Sequence, residues 1–465
     1  MSNFPGTLDT FNVIGTTNFM DEAGYVLHEH LNSHGSAIVQ IETTLGTNSG
    51  TSILKDFTAG EFAVARNSAG ALQDTLTAGT LNNTILGTPT VTGGTFTSPV
   101  LAGTPVLDVN SAIPFYGDNM SRQAIINGNF DVWQRGVTGA TLVDAGPTAF
   151  LADRWGDYVQ DDGGTLPTLT RTRVTQTAGD LANSFFFSRL TTNGAGSSLG
   201  NNSVSLYGQT IEHGTRLLCG NGKNVTVSFY AKSSIANKKI GIALLQTYGT
   251  GGLPTATENI SGTTWTLTTA WVKYTYTFTT NTLVGKTFGT GNNDYLYLAI
   301  GNQWGSTQGT LYGWGSAETY VGSGTIDIAQ VQLCAGDVAL PFQPKSIRQE
   351  LTDCQRYTFV PDASTANLII SEYGQAYSTT ACQPPISFPV TMRAAPTIES
   401  ATAADWQVWN NSYGALDVTA LVLSSSTKDR AILLVEVASG LYVRDMYELT
   451  ADASAPRYIV FSAEL

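Results

Sequence analysis

Between residues 124 and 345 one recurring pattern limits what the chain can become: short runs in which every second residue is apolar, each ended by Gly, Asn or Thr. The runs "VTVSFYAKSS" (Val225 to Ser234), "VKYTYTFTT" (Val272 to Thr280), "DYLYLAIG" (Asp294 to Gly301) and "TIDIAQVQL" (Thr325 to Leu333) show it most clearly. Successive side chains of a strand point to opposite faces, so the alternation gives each strand one dry and one wet side. Many such strands at short spacing predict an antiparallel β-sandwich of the jelly-roll kind over residues 119–345. Composition agrees, because only 13% of residues are charged while Gly alone accounts for 48, and Thr, Ser and Asn abound, favouring strands and turns over surface helices. The expected fold class is mainly β.

A chain of 465 residues has room for further domains. After "PFQPKSIRQELTDCQRYTFV" the alternation resumes in "ISFPVTM", "RAILLVEVASG" and "RYIVFSAEL", which predicts a C-terminal β-sandwich over residues 346–465. The charged stretch Lys345 to Arg356 between the two reads as a short helix with Leu351 and Cys354 turned inward.

The N-terminal quarter follows other rules. Leu27, Leu31, His34, Ile38, Ile41 and Leu45 fall at alternating steps of four and three, the seam of a short coiled coil over residues 25–46. About three heptads are marginal as an isolated helix, so this one needs copies of itself or neighbouring structure. His34 on the seam is a polar residue of the sort that specifies register or oligomer state. His28 and His30 lie about 200° apart on a helix and cannot share an ion, which leaves only His30 and His34 at i, i+4 spacing. A structural or anion-binding histidine is therefore favoured over a metal site, and no metal or cofactor is expected. From Ala71 onward GT pairs recur at Gly79, Gly87, Gly94 and Gly103, and "ILGTPTV" is answered by "VLAGTPVL". Each unit has too little apolar surface to fold alone, whereas several chains wound together bury it on a common axis. Residues 47–118 thus read as an intertwined β stalk; a disordered Thr/Gly linker is the alternative. Residues 1–24 carry Phe4, Leu8, Phe11, Val13, Ile14, Phe19 and Met20 without period, as in a segment that becomes ordered on a partner surface.

The net charge of −13 with no cluster of Lys and Arg excludes a nucleic-acid footprint. No apolar run approaches the roughly 18 residues of a membrane span, and "MSNFPGTLDTFN" lacks the pattern of a signal peptide, so synthesis in a cytoplasm and no membrane insertion are expected. The four cysteines, Cys219, Cys334, Cys354 and Cys382, show neither CxxC spacing nor a disulfide framework and read as buried thiols.

A resemblance connects these parts. The run "LHEHLNSHGSAIVQIETTLGTNSG" leading into GT repeats resembles the N-terminal region of tailed-bacteriophage fibre proteins. The middle of the chain resembles their carbohydrate-binding-module-like jelly roll, through "INGNFDVWQRG" (Ile126 to Gly136), "ADRW" (Ala152 to Trp155), "QTIE" (Gln209 to Glu212), "GKNVTVSFYAKS" (Gly222 to Ser233) and "IAQVQLCAGDVALPFQPKS" (Ile328 to Ser346), in that order. One departure is Cys334, where the closing motif usually has an acidic residue. "ELTDCQRYTF", "FPVTMRAAPTI" and the terminal "FSAEL" resemble the tip domain of such fibres, so the resemblance covers nearly the whole chain. It implies a homotrimeric virion fibre, assembled in the host cytoplasm, whose N-terminus docks on other virion proteins and whose distal domains meet host surface polysaccharide. A head or collar fibre with the same parts is the alternative, and a polysaccharide-degrading enzyme with a binding module is the alternative of another class.

Catalytic signals are sparse. Asp153, Asp157, Asp161 and Asp162 cluster, but acidic pairs in Gly-rich loops are mostly solvated. No GxSxG occurs, His213 is the one histidine beyond the stalk, and "VGKTFG" (Val284 to Gly289) lacks the leading Gly of a phosphate loop. No enzyme is expected. The candidate glycan site is the loop "NQWGSTQGTLYGWGSAETYVG", where Trp304, Tyr312, Trp314 and Tyr320 offer stacking faces and Gln303, Gln308 and Glu318 offer hydrogen bonds. The competing reading turns these rings inward to hold the loop together.

Overall fold

In the computed structural model, which describes residues 123–142, 144, 149–318, 322–452 and 458–465, the alternating runs are strands of two facing sheets. The heptad seam, the GT repeats and the proposed attachment segment lie outside the described residues. In chain order the strands are β1 (Thr138–Thr141), β2 (Ala149–Phe150), β3 (Gly156–Gln160), β4 (Leu169–Thr175), β5 (Phe186–Thr192), β6 (Val204–Glu212), β7 (Asn224–Ser233), β8 (Lys239–Thr247), β9 (Glu258–Thr266), β10 (Val272–Thr279), β11 (Tyr295–Trp304) and β12 (Gly324–Ala335). Two short helices interrupt them, α1 (Gly214–Leu218) and α2 (Ser306–Tyr312).

One sheet has the order β1-β4-β5-β12-β7-β10 and the other β2-β3-β6-β11-β8-β9. From β9 on, each strand crosses to the opposite sheet, which gives the jelly-roll path and leaves the pairings antiparallel. Alternate residues of the facing strands fill the space between: Val225, Val227, Phe229 and Ala231 of β7 meet Ile240, Ile242 and Leu244 of β8 and Leu296, Leu298 and Ile300 of β11 in a single core. Burying an aliphatic or aromatic side chain contributes about 1.5–3 kcal/mol, so this interdigitation supplies most of the driving force for the sandwich.

Helix α3 (Ile347–Gln355) leads out of it, capped by the Ser346 side chain, which accepts a hydrogen bond from the Gln349 N–H. Cys354 faces inward as expected, but Glu350 rather than Leu351 is the other buried residue. Ten strands follow: β13 (Thr358–Phe359), β14 (Gly374–Ala376), β15 (Ala381–Gln383), β16 (Pro385–Ser387), β17 (Thr397–Ala401), β18 (Trp406–Asn410), β19 (Gly414–Ser426), β20 (Arg430–Val437), β21 (Met446–Ala451) and β22 (Ile459–Ser462). Here the expectation of a C-terminal β-sandwich needs correcting. The order β15-β14-β21-β18-β19-β20 closes on itself because β15 also pairs with β20, forming a small barrel, with a ribbon β13-β22-β17 beside it. Register shifts at Val418/Ala420 and Leu423/Ser425 between β19 and β20 are the irregularities that bend a long hairpin far enough to close. The barrel has its own core around Trp406, Val408, Leu433, Tyr447, Leu449 and Phe461. All four cysteines are buried as thiols, and burial pushes those of Cys219 and Cys382 up to about 12.

Candidate functional site

The aromatic loop expected to bind sugar folds onto the outer face of the second sheet. It leaves β11 at Trp304 and returns at Glu318, where the two backbones exchange hydrogen bonds of 3.0 and 2.9 Å. Between these points α2 ends on Gly313, whose φ of 74° lies in the left-handed region that glycine tolerates. The chain then turns Trp314 back onto the sheet. Its ring covers Gly301 of β11 and the paired Gly241 of β8, and a Cβ on Gly301 would lie 2.4 Å from it. The indole N–H donates to the Ile242 carbonyl at 3.0 Å, while the Trp304 indole donates to the Ser316 carbonyl at 2.9 Å. Trp314 packs against Trp304 and Tyr312 in tilted contacts at centroid distances of 4.9 and 4.6 Å, and Trp304, Tyr312 and Trp314 are 0%, 8% and 4% exposed.

The structure therefore brings three of the four expected rings together, but as a roof on Val204, Leu206, Ala243 and Ala299 rather than as an open platform. Gln303 is buried as well. Glu318 is occupied by Lys238, whose ammonium lies 2.7 Å away, and by the Lys239 N–H at 3.1 Å. Burial pulls the Lys238 pKa down, against the Glu318 charge. Gln308 is half-buried on α2, and Tyr320 lies outside the described residues. The physical reason is the glycine pair: without side chains at Gly241 and Gly301 the outer face has a trough that a ring fills from above.

Several of the segments that carried the resemblance, those beginning at Ile126, Ala152, Gln209 and Ile328, are instead brought together. Asn127, at φ 56°, accepts from the Val132 N–H with its side-chain oxygen and donates to the Val132 and Asp153 carbonyls with its amide. The Trp155 indole donates to the Asn127 carbonyl at 3.0 Å, and Tyr207 stacks with both Phe130 and Trp155 in the core. The Gly128 carbonyl accepts from the Val331 N–H where β12 bulges, and a Cβ on Gly128 would lie 2.1 Å from the Val331 oxygen. Gln209 holds both the N–H and the carbonyl of Ile126. The opening, middle and closing motifs thus form one knot.

That knot also holds the C-terminal domain. Glu350 of α3 accepts from the Asn127 N–H, and Gln134 donates to the Thr358 carbonyl at 2.8 Å. Arg154 pairs with Glu464, both nearly sealed from water, and its guanidinium lies 3.5 Å from the Tyr357 ring centroid. Burial pulls the Arg154 pKa down to about 10, which still leaves it charged at neutral pH. Glu212 accepts from Arg356 at 2.9 Å and from the Tyr357 hydroxyl at 2.7 Å. Partial burial acts to raise the Glu212 pKa, but these donors and the Arg356 charge bring it below the usual 4.5. Sequence reading did not single out Arg154, Glu212, Glu350 or Glu464; a charged residue inside a motif of otherwise apolar and turn-forming residues is the signal that could have found the first two.

The clustered aspartates are spent on structure. Asp157 takes a bidentate pair from Arg171 at 2.6 and 3.0 Å, both side chains fully buried, and burial raises its pKa against the Arg171 charge. Asp153 accepts from Gln134, and burial raises it too. Asp161 and Asp162 accept backbone N–H groups of Gly163 and Asn202. His213 lies 3.0 Å from Asp294. A cleft of about 310 Å³ beside Thr141, Leu142 and Pro167 carries Asp144 and Asp161, but Asp144 itself holds the Asp161 N–H at 2.7 Å. Exposed aromatic rings of the C-terminal domain lie in its loops, at Tyr373 and Tyr377 on either side of β14 and at Tyr413 and Tyr442.

No protein-family model matches the chain, and no curated protein matches it. Similar solved structures are carbohydrate-binding β-sandwich modules. The N-terminal cellulose-binding domain of a β-1,4-glucanase from Cellulomonas fimi is 14% identical, covering 43% of this chain and 100% of that one at a TM-score of 0.23. A family 11 carbohydrate-binding module from Clostridium thermocellum, solved with a mixed-linked tetrasaccharide, is 13% identical over 43% and 96% of the two chains, with a TM-score of 0.24. A xylan-binding domain from Paenibacillus barcinonensis is 14% identical over 41% and 98%, with a TM-score of 0.23.

Proposed function

We propose that the chain is the subunit of a homotrimeric bacteriophage fibre, most directly a tail fibre, whose N-terminal segment docks on the virion and whose β domains adhere to glycan on the host surface without degrading it. The observation that carries this reading is the knot at Ile125 to Gly136. Segments by which the chain resembles phage fibres are among those that fasten the sandwich to α3 and to the ribbon side of the C-terminal domain, through Asn127, Gln134, Arg154 and Glu212. A fibre tip has to transmit force without its domains parting, and buried charge-assisted bonds on both sides of a joint serve that need. The seam from Leu27 to Leu45 and the GT repeats supply the stalk. Non-catalytic adhesion fits the use of Asp153 and Asp157 as buried structural partners rather than as an acid pair facing solvent.

The test is adsorption of the purified full-length protein to fixed cells from a panel of bacterial strains, with assay of reducing ends released from their surface polysaccharide. Saturable adsorption to at least one strain with no release of reducing ends is expected. Release of reducing ends, or adsorption to none, contradicts the proposal.

A further inference from the structure

At one end of the C-terminal barrel two tyrosines stack in the open. Tyr413, in the turn from β18 to β19, and Tyr442, in the loop from β20 to β21, lie with ring centroids 4.0 Å apart and planes 21° from parallel. Each ring gives one face to the other, yet they remain 47% and 53% exposed, so their remaining surface is left to water. Both are held from behind. Asn410 accepts the Ser412 N–H at 2.8 Å and donates to the Met446 carbonyl at 2.8 Å, which fixes the Tyr413 turn. The Tyr442 N–H donates to the hydroxyl of buried Tyr447 at 3.0 Å. Arg444 adopts a φ of 78°, a costly conformation for a side-chain-bearing residue, and its N–H reaches the Ala376 carbonyl at 2.7 Å. The Asp445 carboxylate stands beside Tyr413 and raises the pKa of its phenol.

Two exposed rings held in fixed geometry, with a carboxylate next to them, are poorly explained by stability alone, because stacked rings contribute most when buried. We infer that Tyr413 and Tyr442 form a binding platform for an uncharged pyranose unit of a surface polysaccharide, an assignment that rests on the adhesive reading above. The apolar C–H face of a pyranose lies against an aromatic face, and its hydroxyls find an acceptor in Asp445. The carboxylate disfavours acidic sugars, as does the net charge of −13. Because the rings are already ordered, binding sacrifices little side-chain freedom.

The experiment uses the full-length protein, the variants Tyr413→Ala and Tyr442→Ala, and the conservative Tyr413→Phe and Tyr442→Phe, with light scattering and melting as controls on assembly and folding. Each is titrated with neutral gluco-, manno- and galacto-hexasaccharides and tested for adsorption to the fixed-cell panel. One hexasaccharide is expected to bind at least tenfold more weakly to either Ala variant, with the Phe variants close to the parent, and the same Ala variants should lose adsorption. Unchanged binding in folded Ala variants, loss of trimer mass without loss of binding, or no binding by any hexasaccharide overturns the platform. If the parent adsorbs to cells and the Ala variants adsorb equally, the platform fails while the adhesive reading stands. If the parent adsorbs to no strain, the adhesive reading fails, and the hexasaccharide titrations alone decide the platform.

Discussion

A tryptophan among glycines meets two opposite demands equally well, since an open loop that grips a sugar and a loop that folds onto its own sheet both need a large flat ring and a pliable backbone. The direction of Trp314 was therefore not legible in its own loop. It was legible in the neighbouring strands, in the glycines within β8 and β11 at Gly241 and Gly301, because a glycine inside a strand marks the close approach of something else. The ring that approaches is Trp314, 4% exposed. Trp314→Ala is expected to cost about 3–5 kcal/mol in chemical denaturation, the usual cost of removing a buried aromatic, while cell adsorption of the folded protein stays unchanged. Lost adsorption with unaltered stability would mean that the ring works from the surface.

At the scale of elements, what the sequence encodes by repetition was readable and what it encodes by a single contact was not. The four runs quoted for the sandwich coincide with β7, β10, β11 and β12 to within a few residues, because alternation is a property of every residue in a strand. Barrel closure depends on the three residues of β15 and on two register shifts, which leave no periodic trace. The joint between domains is similar: Glu212 meets Arg356 and Tyr357 across 144 and 145 positions. A carboxylate whose pKa is lowered by folding contributes stability that is fully present above its unfolded value and is lost as pH falls through its folded value. For Glu212 that loss begins below about 4.5. Wild type should therefore exceed Glu212→Gln in stability at pH 7, with the difference shrinking as denaturation is repeated at progressively lower pH beneath 4.5. A difference that is constant with pH would remove the Glu212 charge from the joint.

At the scale of the whole molecule the proposal joins two described β domains, read as an adhesive head, to a seam and repeats read from sequence alone as a stalk of several chains. By their spacing in the sequence, Leu27, Leu31, His34, Ile38, Ile41 and Leu45 would make too short a seam, and the GT units offer too little apolar surface, for a single chain to be stable there on its own. A free binding module or a secreted enzyme has no need of either. Assembly thus separates a fibre from those other classes more directly than any property of the head. The deciding measurement is the solution mass of the purified full-length protein by light scattering. Three times the chain mass of 49.3 kDa is expected, and a single chain mass across the accessible concentration range would contradict the fibre.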